Sequence, residues 1–112
     1  MKAVEAVSRL RRALELLASP AAEQRRWLEE QSVAPLADEL ALDFDDLVGL
    51  VPSLIESGQI AVAAQPLLSQ LDAQLALMSS LEEVWDVSAL GTNSEWQRVR
   101  DLATRALAAL TG

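Results

Sequence analysis

Apolar residues recur along most of the chain at the three- and four-residue spacing of an amphipathic α-helix. Four segments carry this pattern, at Val4, Val7, Leu10, Leu14 and Leu17; at Phe44, Leu47, Val48, Val51, Leu54 and Ile55; at Leu67, Leu68, Leu71, Leu75 and Met78; and at Trp96, Val99, Leu102, Ala106, Leu107 and Leu110. The alternation that is typical of β-strands is absent, and the chain contains no Tyr and one Phe. The pattern therefore predicts an all-α protein.

Capping and turn residues divide this pattern into separate helices. Ser19 and Pro20 predict a second helix that ends near Gln31, with the serine as N-cap and the proline at the first helical position. The segment Thr92 to Glu95 matches a capping box, which opens the last helix after Gly91 has ended a short turn.

The central helix carries three further signals. Asp43 is predicted to be its N-cap, and Gly58 is predicted to end it. Pro52 lies inside the apolar pattern and predicts either a kink or a split, because proline has no N–H donor and clashes with the preceding turn. Together these signals predict that residues 1–112 form a single domain, a compact bundle of four to five amphipathic helices.

Charge is strongly separated along the chain. No Lys or Arg occurs between Arg26 and Arg98, and this base-free segment, residues 27–97, carries thirteen Asp and Glu residues. The net charge of this segment is therefore −13. Both flanking segments are slightly basic, which reduces the net charge of the whole chain to −8 at pH 7. Since an ordinary surface intersperses both signs, the segment favours a basic partner.

The residue types exclude several kinds of chemistry. The chain has no Cys and no His, and therefore no thiolate nucleophile and no imidazole for zinc binding or general-base catalysis. Asp43 to Asp46 does not match a calcium-binding loop, because Leu47 and Val48 occupy a ligand position and the glycine position. The Asp-x-Asp of haloacid-dehalogenase-like phosphatases is matched at two positions only, without their parallel sheet or downstream lysine. We predict that the protein is not an enzyme and uses no cofactor or metal.

Localisation and ligand class follow from charge and hydropathy. Met1 to Arg12 places charges where a signal peptide has its apolar core, so we expect a cytoplasmic protein. The longest uncharged stretch, Ser57 to Leu71, is shorter than the roughly 20 apolar residues that a membrane span requires. A pI near 4.4 disfavours nucleic acid and anionic lipid as direct ligands, because both bind basic surfaces.

Two features admit both a structural and a binding interpretation. The acidic cluster Asp43 to Asp46 is explained by helix capping and solvation, or by a patch that binds a partner. Trp85 is explained as a core residue, or as a partly exposed anchor for the cation-π contacts of a basic partner, since three acids flank it. Trp96, on the apolar face of the last helix, is predicted to be core.

Four short strings within residues 38–110 carry a family resemblance: Leu40-Ala41-Leu42-Asp43-Phe44-Asp45-Asp46; Leu71-Asp72 with Met78-Ser79; Trp85 with Ala89-Leu90; and Glu95-Trp96 with Val99-Arg100. In these strings the chain resembles a group of small acidic all-helical bacterial proteins, some of which look like immunity proteins of contact-dependent or polymorphic toxin systems. The resemblance implies a helical protein that binds a toxin domain, and it includes no catalytic residue.

The charge and the resemblance lead to one hypothesis. We expect an acidic binding protein, a cytoplasmic immunity protein that occludes the cationic active site of a bacterial toxin by steric and electrostatic means. The alternative is a self-associating helical module, structural or regulatory, and a homodimer is compatible with the many apolar residues. The residues expected to contact a basic partner are Asp45, Asp46, Glu82, Glu83, Trp85 and Asp86.

Overall fold

The described part of the chain consists of helices and short turns, without a β-strand. The computed structural model describes residues 2–31 and 37–111. Six α-helices lie in these ranges: α1 (Ala3–Ala18), α2 (Ala21–Gln31), α3 (Leu42–Val48), α4 (Val51–Glu56), α5 (Gln65–Met78) and α6 (Ser94–Ala109). Four short 3-10 helices lie between them: Ala37–Ala41, Val62–Ala64, Glu82–Trp85 and Val87–Gly91. The all-α prediction is confirmed.

The core forms where α6 packs between α1 and α5, and α1 also packs against α3. Leu10, Leu14 and Leu17 of α1 are fully buried, as their helical spacing predicts. Trp96 and Val99 of α6 are fully buried as well, which confirms the prediction for Trp96. Burying one leucine side chain contributes about 1.5–3 kcal/mol to folding relative to leaving it exposed. The described residues span 39 × 24 × 22 Å.

The central helix of the prediction is two helices in the structure. Helix α3 ends at Val48, a turn follows at Gly49 and Leu50, and Pro52 lies in the first turn of α4. A proline is tolerated at this place because the first N–H groups of a helix have no partner within the helix. The predicted number of four to five helices was therefore too small, since the split gives six within the described ranges.

Gly58 ends the second of these helices, as predicted. Its φ of +75° lies in the left-handed region, which only glycine enters without strain. The N–H of Gly58 donates to the carbonyl of Ile55 at 3.0 Å, and the N–H of Gln59 donates to that of Leu54 at 2.8 Å. Together these bonds satisfy carbonyls that the end of α4 would leave without partners.

Asp43 is not an N-cap, contrary to the prediction. The chain enters α3 directly from the 3-10 helix Ala37–Ala41, and Ala41 has near-helical angles of φ −95° and ψ −11°. No extended residue therefore precedes α3, and no side chain caps it. Asp43 lies in the first turn instead, where its carboxylate is 3.6 Å from the guanidinium of Arg9 on α1. A second ion pair, at 3.2 Å, joins Arg25 and Glu29.

The predicted N-caps of α2 and α6, Ser19 and Thr92, each lie one residue before the residue that opens the helix in the structure. Ser19 ends α1, because its hydroxyl donates to the carbonyl of Glu15 at 2.7 Å, and the carbonyl of Pro20 opens α2. Asn93 caps α6 by accepting the N–H of Glu95 at 2.8 Å, in the place expected of Thr92. Both helices nevertheless begin where the sequence places them, to within two residues.

Two buried glutamines connect α6 to its neighbours. The amide nitrogen of Gln24 donates to the carbonyls of Leu16 and Leu17, and its oxygen accepts from Arg100 at 3.0 Å. Burial lowers the pKa of the Arg100 guanidinium. Gln74 of α5 donates to the carboxylate of Glu95 at the start of α6. Paired in this way, buried polar groups avoid the cost of burial without a partner and fix α5 against α6.

No helix in the described ranges combines the length and the apolar character needed to cross a membrane.

Candidate partner-binding groove

Two pockets that share Asp72 lie along α5, and together they are called the groove here. The first has a volume of about 310 Å³. It is called the acidic pocket here because three aspartates line it, and its lining residues are Asp38, Ala41, Leu42, Asp45, Asp72, Leu75, Ala76, Ser79 and Trp85.

The second pocket adjoins the first at Asp72 and has a volume of about 260 Å³. Apolar side chains of α3, α4 and α5 form much of its lining, and it is called the apolar pocket below. Its lining residues are Val48, Gly49, Val51, Pro52, Gln65, Leu68, Ser69 and Asp72. The groove therefore has an acidic pocket toward the end of α5 and a largely apolar pocket toward its start, with Asp72 lining both.

Helix α5 contributes one continuous face to the whole groove. Asp72, Leu75, Ala76 and Ser79 follow the helical spacing of three and four residues, which brings them onto one side of α5 and the turn after it. Asp72 is the single charged residue in Gln65–Met78. It is half-buried at the junction of the two pockets.

Helix α3 presents neighbouring aspartates in different directions. Asp43 and Asp45 are two positions apart, which corresponds to a rotation of about 200° around an α-helix. Asp43 therefore reaches Arg9 on α1, whereas Asp45 lines the acidic pocket. Asp46 is exposed and does not line the pocket. Leu42, which is 54% exposed, adds a large apolar side chain to the pocket.

Trp85 is both packed against the core and open to the groove. Its indole N–H donates to the carbonyl of Met78 at 3.0 Å. Its ring meets that of Trp96 edge to face, with centroids 5.7 Å apart and an interplanar angle of 89°. The side chain is half-buried and lines the acidic pocket. The structural and the binding interpretation of Trp85 are thus compatible, because contact with the core holds the indole rigidly at the pocket.

The three aspartates of the acidic pocket have no basic neighbour. Within the described ranges, neither Asp38, Asp45 nor Asp72 forms an ion pair or a hydrogen bond through its side chain. The base-free segment contains no cation that could reach them from a neighbouring position. Three uncompensated carboxylates around a concave surface produce a negative potential that attracts cationic groups.

The remaining predicted contact residues do not join this groove. Glu82 and Glu83 line a separate depression of about 370 Å³ together with Ser80 and Leu81. The structure thus groups two of the six predicted residues, Asp45 and Trp85, with seven other lining residues. Among these seven, Asp38 and Asp72 add carboxylates, and Leu42 adds an exposed apolar side chain.

Asp86 has a structural task of its own. Its carboxylate accepts the backbone N–H and the hydroxyl of Ser88, both at 3.0 Å, and so caps the 3-10 helix Val87–Gly91. The bond from the backbone N–H, reinforced by that from the hydroxyl, lowers the pKa of the Asp86 carboxyl below its ordinary value. Asp86 lies on the exposed surface.

Sequence reasoning missed Asp72 although a signal was present. A lone charge in the otherwise neutral helix α5, followed at three and four positions by Leu75 and Ala76, marks one boundary of an apolar face. Asp38 and Leu42 gave no comparable signal, because they belong to the entry into α3, where the sequence predicted a different cap.

The described residues include no group of three or more acidic side chains arranged to hold a metal ion. The ring of Trp85 lines the same pocket as the carboxylates of Asp38, Asp45 and Asp72.

The fold and the groove define an all-α protein with an acidic groove along one helix. No protein-family model, no curated protein and no solved structure matches this chain.

Proposed function

We propose that this protein acts by binding a basic protein partner on the surface formed by the base-free segment, without catalysing a reaction. The observation that carries this proposal is the acidic pocket, where Asp38, Asp45 and Asp72 surround an apolar floor and have no cation of their own. Complementary charge across an interface accelerates encounter and excludes partners of the wrong sign.

The specific proposal is a cytoplasmic immunity protein that occludes the cationic active site of a bacterial toxin. The resemblance of residues 38–110 to small acidic immunity-type proteins supports it. The charge supports it independently, because an enzyme that acts on nucleic acid needs a basic cleft for phosphates, and a protein that fills such a cleft must be acidic. Inhibition would be steric and electrostatic.

The first experiment identifies the partner and tests its toxicity. The tagged chain captures proteins from a lysate of its source organism, and mass spectrometry identifies them. A captured basic protein is then expressed in a laboratory strain, with and without this chain. We expect growth arrest by the partner alone and normal growth on co-expression. A harmless partner, or growth arrest that co-expression leaves unchanged, contradicts the immunity function.

The second experiment measures how charge controls association. Replacing Asp45 and Asp46 together, by Asp45→Asn and Asp46→Asn, removes two exposed negative charges from α3. We expect the association rate to fall more than the dissociation rate rises, because exposed charges act mainly on encounter. The effect should shrink above about 0.15 M salt, where the Debye length is about 8 Å. An acidic partner, or rates indifferent to both salt and substitution, contradicts the proposal of a basic partner.

Self-association is the second candidate, and exposed apolar side chains favour it. Val62 is 69% exposed and Leu77 is 57% exposed, in addition to Leu42 in the groove. Light scattering after size exclusion separates the two candidates. A stable dimer whose mass does not change with salt supports self-association, whereas a monomer supports the basic partner.

A further inference from the structure

The two pockets of the groove are separated by a defined distance. On α5 and the turn after it, the acidic pocket is lined by Asp72, Leu75, Ala76 and Ser79, and the apolar pocket is lined by Gln65, Leu68, Ser69 and Asp72. Their centres are therefore about seven residues apart along α5, or about 10 Å at 1.5 Å per residue. A bound segment must place two side chains at this separation, which an α-helix does at positions i and i+7.

The chemistry of the acidic pocket selects an arginine. Three carboxylates and an indole ring line one cavity, and a guanidinium can bond carboxylates through its fork of N–H donors while its plane contacts an aromatic ring. The compact ammonium of lysine has neither the fork nor the plane. Leu42 and Leu75 provide apolar surface for the arginine stem.

The chemistry of the second pocket selects an aliphatic side chain. Val48, Val51, Pro52 and Leu68 supply apolar surface there, and Gln65 and Ser69 are uncharged. With no cation in its lining, this pocket offers nothing to an acidic side chain. A leucine or isoleucine gains the most binding free energy there, because its burial removes apolar area of both the pocket and the ligand from water.

We infer that the groove seats an amphipathic helix of the basic partner, with an arginine in the acidic pocket and an aliphatic residue seven positions away in the apolar pocket. This inference rests on the proposed function and specifies the chemistry of its contact. A second copy of this chain is a poorer occupant, because it would bring a further net charge of −8 toward uncompensated carboxylates.

The probe is a stapled helical peptide of fourteen residues that carries Arg at position 4, Leu at position 11 and uncharged polar residues elsewhere. One control peptide has citrulline, an uncharged isostere, in place of Arg. A second has Ser in place of Leu. Binding to the full chain, labelled with ¹⁵N, is followed by NMR titration. We expect saturable shifts at the backbone amides of Leu42, Asp45 and Asp72, and at least fivefold weaker binding of either control peptide.

Two pairs of protein variants distinguish binding in the groove from general effects of surface charge and surface apolar area. Asp45→Asn removes a groove carboxylate, and Asp46→Asn removes the same charge from the next position on α3, outside the groove. Leu42→Ser removes an apolar groove residue that is 54% exposed, and Leu77→Ser removes one that is 57% exposed outside it. Because all four side chains are exposed, each variant should retain the fold, which circular dichroism checks.

The expected result is a difference within each pair. Asp45→Asn should weaken peptide binding about fivefold, the upper range for one exposed ion pair, and Asp46→Asn less than twofold. Leu42→Ser should weaken it more than Leu77→Ser does. Equal effects of Asp45→Asn and Asp46→Asn, or no binding of the Arg-Leu peptide, would overturn the groove inference.

Failure of this inference is distinguishable from failure of the proposed function. If the captured partner is basic and relieved of its toxicity, but Asp45→Asn and Asp46→Asn slow its association equally, the function stands and the groove is not the contact. If no basic partner is captured, the function fails whatever the peptide does. A salt-resistant dimer that Leu42→Ser dissociates assigns the groove to a second copy and also overturns the inference.

Discussion

At the scale of single residues, one position along a helix decides what a carboxylate does. Asp43, Asp45 and Asp46 are chemically alike and nearly adjacent, yet the first pairs with Arg9, the second lines the acidic pocket and the third faces solvent. The helical period of 3.6 residues produces this difference. A count of acids therefore overstates how many of them a partner can contact at once.

The response to salt should distinguish the helix cap at Asn93 from the ion pair at Asp43. Asn93→Ala removes the acceptor for the N–H of Glu95, and we expect a loss of about 1 kcal/mol in the free energy of unfolding. Asp43→Ala breaks an exposed ion pair and should cost about 0.5 kcal/mol. Urea denaturation at low and at high NaCl measures both losses.

The loss for Asn93→Ala should be the same at both salt concentrations, because the lost bond involves no charged side chain. The loss for Asp43→Ala should nearly vanish at high NaCl, since salt screens exposed charges. Asn93→Asp serves as the control, as aspartate is an equally good cap. A large, salt-independent loss for Asp43→Ala would show that this residue caps α3 after all.

At the scale of elements, the split between α3 and α4 shapes the groove. Had Leu42–Glu56 been one continuous helix, a straight cylinder would lie beside α5. The turn at Gly49 and Leu50 instead lets Pro52 and Val51 line the apolar pocket on a new helical axis. The proline that disturbs the helical pattern of the sequence thus forms part of the surface proposed to bind.

The two glycines at the ends of α3 and α4 should respond to alanine with opposite signs. Gly58 has φ +75°, where alanine is strained, so Gly58→Ala should lower the free energy of unfolding by about 1–2 kcal/mol. Gly49 has helical angles of φ −65° and ψ −18°, so Gly49→Ala should raise it by about 0.4–1 kcal/mol by restricting the unfolded chain.

Steric clashes do not affect this comparison, because a Cβ added at Gly49 or Gly58 meets no atom within 4 Å. Thermal or urea unfolding of the two variants beside the parent chain provides the measurement. Destabilisation of both variants by similar amounts would mean that backbone conformation is not what distinguishes the two sites.

At the scale of the whole molecule, the bases and the residues of the groove belong to different elements. All nine bases lie in residues 2–26 and 98–105, which belong to α1, α2, α6 and the turns beside them. The charged residues of helices α3, α4 and α5 are all acidic. The groove is lined by residues of the base-free segment alone, and α3 meets the basic helix α1 at the ion pair of Asp43 with Arg9.

This surplus of acid should make the protein more stable in salt. Two like charges 10 Å apart in water repel by about 0.4 kcal/mol, and salt at 0.15 M shortens the Debye length to about 8 Å from about 30 Å at 0.01 M. We expect the free energy of unfolding in urea at pH 7 to rise by about 1 kcal/mol over this range of NaCl.

The control for this prediction is the same titration near the pI of 4.4, where the net charge is close to zero and the gain should disappear. A loss of stability with NaCl at pH 7 would mean that attractive ion pairs outweigh repulsion. The exposed ion pairs Arg9–Asp43 and Arg25–Glu29 of the described residues make that outcome unexpected, since each contributes about 0–1 kcal/mol.

The sequence by itself determined the fold class, most helix boundaries and the sign of the surface. Local physics suffices for these, because helical spacing reports which face of each segment is buried, as at Leu10, Leu14 and Leu17. Gly58 was also predictable from local physics, since many helices end at a glycine in the left-handed conformation. The predicted caps at Asp43 and Ser19 were wrong, because the element before each helix determines what these residues do. A 3-10 helix leads directly into α3, and the Ser19 hydroxyl bonds back to α1.

Only the tertiary structure decided which residues form the groove. Asp45, Asp72 and Trp85 lie on three different elements, up to forty positions apart, and a period within one helix does not report which helix packs opposite it. That choice depends on how all the apolar faces fill one core together. The packing of α6 between α1 and α5, with α3 held on α1, is what brings Asp45, Asp72 and Trp85 together around one pocket.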